Sequence, residues 1–175
     1  MGFDSVSRTH VGLKRKVNED SLLAQPERGL WAVADGMGGH DAGEVGSALV
    51  VQALAHLPEA PGLDALVGEA ITALERVNRG LLRMAHSDMR PRTIGSTVAG
   101  VAIGDGRYRC FWAGDSRVYR VREREVLQLT RDHSLVQDLV AAGMLAPEEA
   151  QDHPQANVIT RAVGVSETLK VDTAD

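Results

Sequence analysis

Gly29-Leu30-Trp31-Ala32-Val33-Ala34-Asp35-Gly36-Met37-Gly38-Gly39-His40 is the stretch on which the fold turns. Its first six residues are mostly apolar and end at a glycine cluster, which predicts a short strand covered on both faces. The glycines at 36, 38 and 39 leave the backbone free for tight turns and close ligand approach. Asp41 to Leu57 then reads as a helix, with Asp41 as N-cap, Glu44 as its capping-box partner, and Pro58 and Pro61-Gly62 ending it. Its expected buried side carries Val45, Ala48, Leu49, Gln52, Ala53 and His56, with Leu54 and Leu57 on the neighbouring face. An aspartate at the strand end, followed by open carbonyls, suits a hard cation. The same residues also make an ordinary strand–loop–helix turn. They lack the lysine and hydroxyl residue of a Walker phosphate loop, and the spacing is not that of an EF-hand.

Upstream, residues 9–14 and 21–24 are strand candidates flanking Arg15-Lys16-Val17-Asn18-Glu19-Asp20. An arginine there can grip a phosphate with two hydrogen bonds, and adjacent carboxylates can serve magnesium or manganese. A solvated charge run is the competing account. Downstream, residues 64–86 repeat apolar positions at helical spacing, among them Val67, Ala70, Ile71, Leu74, Asn78 and Leu81. Strand patterns follow at Thr97–Ile103 and Tyr108–Ala113 around a Gly104-Asp105-Gly106 turn, and a second hairpin at Arg117–Arg122 and Val126–Leu129 turns through 123–125. Between the hairpins lies Gly114-Asp115-Ser116-Arg117, which reads either as a turn or as an acid at a strand end. A helix near 134–142 ends at Gly143, Pro147 opens another short one, and Asn157–Val163 shows no clear period. Strands, two long helices, then more strands predict an α+β antiparallel sheet with covering helices rather than a βαβ repeat.

Composition narrows the function. The chain has 175 residues, 43% hydrophobic and 25% charged, which excludes disordered, collagenous and coiled-coil classes. Its net charge of -5 argues against a general nucleic-acid binder. Cys110 is the single cysteine, so no internal disulfide can form; a reducing cytoplasm is the expected location, and Cys110 itself reads as a buried inert thiol. No apolar run is long enough to span a membrane. The six histidines have no zinc-site spacing, and no G-x-S-x-G elbow marks a serine hydrolase.

Taken in order, these segments resemble the PPM/PP2C family of metal-dependent serine/threonine protein phosphatases, in its bacterial branch. The resemblance is carried by Arg15-Lys16-Val17-Asn18-Glu19-Asp20, by Asp35-Gly36-Met37-Gly38-Gly39-His40 with Gly43-Glu44, and by Gly95-Ser96-Thr97. It continues through Gly114-Asp115-Ser116-Arg117 with Tyr119, Leu129-Thr130 with Asp132-His133-Ser134, and Ile159-Thr160-Arg161-Ala162-Val163-Gly164. The resemblance implies a four-layer α/β/β/α sandwich. It also implies hydrolysis of phosphoserine and phosphothreonine in proteins by a metal-bridged water at a two-metal centre of Mg2+ or Mn2+. Asp20 and Asp35 would hold the two ions with the Gly36 carbonyl, Glu19 would act through water, Arg15 would hold the phosphoryl oxygens, and Asp115 would take a third, weaker ion. The partners implied are phosphoproteins made by a bacterial serine/threonine kinase, with no nucleic acid, no membrane span and a monomeric enzyme.

Two departures qualify the expectation. Met37 stands where some eukaryotic relatives carry a histidine after the aspartate-glycine pair, and His40 does not inherit that role. The family's two later metal-binding aspartates have no counterpart after Gly164; Asp172 and Asp175 lie in a different context. Residues 1–175 are therefore expected to form the N-terminal portion of one phosphatase domain that lacks its C-terminal part, with a flap at 135–158. The alternatives are a pseudophosphatase or phosphoprotein-binding module with an incomplete metal site, and an unrelated metal- or nucleotide-binding α+β domain.

Overall fold

Pro26, at the start of a single 3-10 turn, and Gly29, in the left-handed region at φ 61°, reverse the chain and set the register of the sheet. The computed structural model describes residues 2–13, 15–38, 42–87 and 93–175. Strand β1 (Asp20–Gln25) and strand β2 (Leu30–Gly38) leave that turn as an antiparallel pair, from Gln25 opposite Leu30 out to Asp20 opposite Asp35. Helix α1 (Ala42–Ala55) and helix α2 (Leu63–Ser87) follow, then β3 (Ile94–Ser96), β4 (Val98–Gly104) and β5 (Arg107–Ala113). A separate hairpin of β6 (Tyr119–Arg122) and β7 (Glu125–Gln128), a short helix α3 (Leu135–Ala141) and strand β8 (Asp172–Ala174) complete the order. The sheet runs β1-β2-β4-β5-β8 with β3 also on β2, and every pairing is antiparallel. This is the expected α+β arrangement: α1 and α2 form a layer on the sheet, and β6–β7 is a second, two-stranded sheet.

The core lies between the two helices and the sheet. Leu30, Ala32 and Ala34 alternate inward on β2 to meet Val50, Leu54, Leu74 and Leu81, as a half-buried strand requires. The opposite face of β2 presents Val33, 47% exposed, and Asp35, so β2 is covered on one face only where the sequence predicts two. Towards β5 that second face carries a smaller cluster of Ala99, Cys110 and Trp112. Burial pushes the Cys110 thiol up to about 11, which agrees with an inert side chain.

α1 corrects a larger expectation. Its buried side is Ala42, Gly43, Gly46, Ser47, Val50 and Leu54, while Val45, Ala48, Gln52 and His56 are exposed. Over its first turns small residues face the sheet, because there the helix lies almost on the backbone beneath it, and Val50 and Leu54 take over further along. A Cβ on Gly43 would overlap the Glu19 carboxylate, and one on Gly46 the Gly95 carbonyl. The predicted N-cap, Asp41, lies outside the described residues. α2 follows its predicted stripe, and Asp105 Oδ2 accepts a 2.8 Å hydrogen bond from the Leu63 amide at its start. Asn78, on that stripe, is buried and hydrogen-bonded: it accepts from Gly164 N at 2.6 Å and donates to the Ser166 carbonyl at 2.9 Å.

Residues 9–13 form no strand. Gly12 turns at φ 80° with its amide on His10 Nδ1, and among the described residues the sheet order places no partner beyond β1. The strand predicted from Thr97 begins instead at Val98: Thr97 stands between β3 and β4, and its amide donates to the Asp35 carbonyl. Arg117 and Val118 stay outside β6 because Arg117 is engaged by Asp132 and the Val118 amide by Thr130.

Two glycines give a test of opposite sign. Helix propensity alone favours alanine over glycine by about 1 kcal/mol. Gly68→Ala, where a Cβ meets open space, should raise the stability measured by urea denaturation by about that amount. Gly46→Ala should lower it by about 1–3 kcal/mol, because overpacking outweighs propensity.

Candidate metal and phosphate site

Asp20 and Asp35 face each other directly across the end of the β1–β2 pair, so their side chains share one face of the sheet. That face is the one turned away from α1 and α2. Asp35 is fixed at both backbone groups. Its amide donates to Thr97 Oγ1 at 3.0 Å, and its carbonyl accepts from Thr97 N at 2.9 Å and Ser96 Oγ at 3.2 Å. Burial, then the charges of Asp20 and Asp115, push the Asp35 carboxyl above its ordinary value; Arg15 opposes them. Burial, then Asp132, likewise raises Asp115 against the opposing Arg117 and its own backbone hydrogen bond. Two carboxylates held side by side, with a third close enough to bias one of them, form an acceptor-only oxygen site that suits a hard divalent cation.

Glu19 is bound into the scaffold. Its carbonyl accepts from Gly36 N at 3.1 Å and Ser47 Oγ at 2.6 Å, and its carboxylate lies against Gly43 with 17% of the side chain exposed. Arg15 reaches Glu19 Oε2 at 2.8 Å, with 72% of its own side chain in solvent. Asn18 closes the segment: its Nδ2 donates to Thr9 Oγ1 at 2.7 Å and its Oδ1 accepts from Asp20 N at 3.1 Å. Arg15, Glu19, Asp20 and Asp35 line one cavity of about 180 Å³, and Arg8, His10, Asp20, Asp35 and Ser116 line an adjoining one of about 310 Å³. Gly36 is buried beneath Gly43 and pairs with Ser96. His40 lies outside the described residues.

Of the predicted residues, Arg15 and Glu19 thus share a cavity with Asp20 and Asp35. Among the described residues, however, no three His, Cys, Asp or Glu side chains converge closely enough to hold an ion by themselves. Asp132 is taken by Arg117 through contacts of 2.9 and 2.6 Å. Asp175 pairs with Arg109, and Asp172 with His133 and Arg161. Two residues that the sequence names only as parts of motifs, Thr97 and His133, organise this region through contacts it does not foretell. Thr97 joins the Asp35 amide to Ser116 Oγ, 2.6 Å away. His133 holds Gly114, accepting from the Gly114 amide through Nδ1 at 3.1 Å and donating its own amide to the Gly114 carbonyl at 2.9 Å. Neither set of contacts has a spacing signature; each depends on segments that meet only in the fold.

The family profile for protein phosphatase 2C matches residues 9–165. The chain belongs to the protein phosphatase 2C family. Serine/threonine protein phosphatase PstP of Mycobacterium tuberculosis is 40% identical over 158 residues, which cover 90% of this chain and 30% of that protein. The chain thus spans less than a third of that curated relative. The structure of PppA, described as a key regulatory component of T6SS in Pseudomonas aeruginosa, is 44% identical with a TM-score of 0.87, over 99% of this chain and 71% of that one. A catalytic domain of PstP in complex with two manganese ions is 35% identical with a TM-score of 0.74, over 95% of this chain and 70% of that one.

The raised Asp35 carboxyl fixes the sign of a pH effect. Protonated Asp35 favours the fold: its contribution is full below the ordinary value of 3.8 and is lost as pH rises through the higher folded value. In chelator-treated protein at pH 7, Asp35→Asn should therefore raise the urea midpoint, and the gain should disappear below the ordinary carboxylate range. Added Mn2+ should stabilise the parent chain and not the variant.

Proposed function

We propose that residues 1–175 belong to a single phosphatase domain that removes phosphate from phosphoserine and phosphothreonine in proteins, with residues 135–158 as a flap beside the centre. The observation that carries this reading is the register that sets Asp20 against Asp35 with Arg15 in the same cavity. The donor set fits Mg2+ or Mn2+ in kind: oxygen ligands only, two carboxylates opposed and a third nearby, with water able to fill the remaining positions of such ions. Asp20 and Asp35 would hold two ions together with the Gly36 carbonyl, Glu19 would bind through water, and Asp115 would serve a third. Ions bound there supply water activation near neutral pH and charge neutralisation at phosphoryl oxygens.

The protein's own groups do the rest. Arg15, tethered to Glu19 and largely in solvent, can turn its guanidinium to a phosphoryl group and bind two of its oxygens. Glu19 keeps it close, so little reach is needed. Thr97 and Ser96 hold the Asp35 backbone still, which keeps its carboxylate aimed without reorganisation during reaction. The substrates would be proteins modified by a serine/threonine kinase. None of the helices is long and apolar enough to cross a membrane among the described residues, and the buried, inert Cys110 fits a cytoplasmic protein.

A second reading is favoured by one observation: the described residues bring no three potential ligands together. On that reading the fold binds phosphoproteins without hydrolysing them. Mn2+-dependent phosphate release from a phosphoserine peptide separates the two. The phosphatase reading expects turnover that falls about a thousandfold or more in Asp20→Asn and Asp35→Asn, about 4 kcal/mol of barrier, with an unchanged circular dichroism spectrum. Arg15→Ala should raise KM for the peptide. Peptide binding without turnover would establish the second reading, and substantial turnover by a folded Asp35→Asn variant would remove Asp35 from the centre.

A further inference from the structure

His133 is 7% exposed and sits where three separate segments meet. Its ring stacks on Trp112 of β5, with centroids 6.0 Å apart and planes 12° from parallel. Its carbonyl accepts from Thr160 N at 2.9 Å, just beyond the flap, while Leu135 N donates to the Val158 carbonyl, also at 2.9 Å, to close the flap base. Gly114 is gripped at both its backbone groups by this one residue. On its other side Gly114 is packed against Thr97, where a Cβ would come within 2.6 Å of the threonine side chain, and its φ of 121° suits only glycine.

The Gly114 bond sets the tautomer. An amide N–H can only donate, so Nδ1 carries no proton, and in the neutral ring the proton belongs on Nε2. Nε2 lies 3.1 Å from Asp172 Oδ2, which accepts it. Arg161 Nη1 also lies 2.9 Å from Nε2; in this tautomer that contact sets donor against donor and is no hydrogen bond, and Nη1 is held there by Asp172 Oδ1, also at 2.9 Å. Lys170 Nζ lies 3.6 Å from that same oxygen. Burial, reinforced by Arg161, lowers the His133 pKa despite the opposing Asp172, so the ring is neutral near pH 7.

We propose that His133 is a positioning residue: it locks the Gly114–Asp115 backbone so that the Asp115 carboxylate is aimed at the Asp20–Asp35 pair, with Asp172, itself paired with Arg161, fixing the ring. Asp172 thus acts two contacts away from Asp115, as an orienter of the histidine that orients the loop. The inference rests on the reading of Asp115 as a metal ligand.

Two substitutions separate the ring's two bonds. His133→Asn places an amide oxygen near the site of Nδ1 and retains the Gly114 bond; His133→Gln reaches the position of Nε2 and retains only the Asp172 bond. Carboxylate carbon-13 shifts of Asp35 and Asp115 during a titration with diamagnetic Mg2+ report each carboxylate separately and require no turnover. In the parent chain and in His133→Asn, Asp115 should shift at similar Mg2+ concentrations. In His133→Gln it should require about 10–100 times more Mg2+, with Asp35 unmoved. Equal changes of the Asp115 midpoint in both variants, joint movement of the Asp35 and Asp115 midpoints, or no change of midpoint in a folded His133→Gln would overturn the proposal. The parent chain adds a test free of any fold change: a through-hydrogen-bond coupling between the Gly114 amide and His133 Nδ1, whose absence would also overturn it. Loss of peptide turnover in the parent chain would count against the phosphatase reading and leave these resonances readable.

Discussion

Two negative charges set face to face at the end of one strand pair are the constraint around which this molecule is built. Like charges directly opposite in an antiparallel ladder are destabilising, and here the register of β1 on β2 imposes that arrangement on Asp20 and Asp35. The neighbouring structure is stiff for this reason. Thr97 and Ser96 bond the Asp35 backbone, Ser47 and Gly36 bond the Glu19 carbonyl, and α1 presses small residues onto the same backbone. A site whose own electrostatics oppose folding must be supported by its surroundings, and divalent cations are the natural counterweight.

Much of this was legible in the sequence, and what was missed has physical causes. Periodicity found α2 because its inward residues are large and regularly spaced; it chose the wrong side of α1 because Gly43, Gly46 and Ser47 bury themselves by closeness rather than hydrophobicity. The segments bearing Asp20 and Asp35 were recognisable, but their opposition depends on turn geometry: each pairing steps outward from Gln25 and Leu30. Pro26 and Gly29 carry the signal that would have located that turn. Nothing local foretold that His133 would grip Gly114, 19 residues away, or that Asn78 would close on Gly164, 86 residues away. Such bonds join segments brought together only by the sheet, and a buried polar residue on an apolar stripe declares its partners only once the fold is known.

The family relationship and the geometry answer different questions. Membership in the protein phosphatase 2C family rests on a match spanning residues 9–165. The geometry shows the contacts: Arg15 pairs with Glu19, Thr97 accepts from the Asp35 amide, and His133 accepts from the amide of Gly114, the residue before Asp115. It also shows that Asp172 and Asp175 are committed to His133, Arg161 and Arg109 rather than to the aspartate pair.

The base of the 135–158 segment, which includes α3, is stitched shut by hydrogen bonds between Leu135 and Val158 and between Thr160 and His133. Everything between those stitches is a closed loop whose ends are held by the rest of the molecule. Lengthening such a loop costs little, about 0.6 kcal/mol for each doubling, while the stitches keep any change from reaching the sheet. The 135–158 segment can therefore change in length as well as in sequence while the acidic strand pair stays where it is.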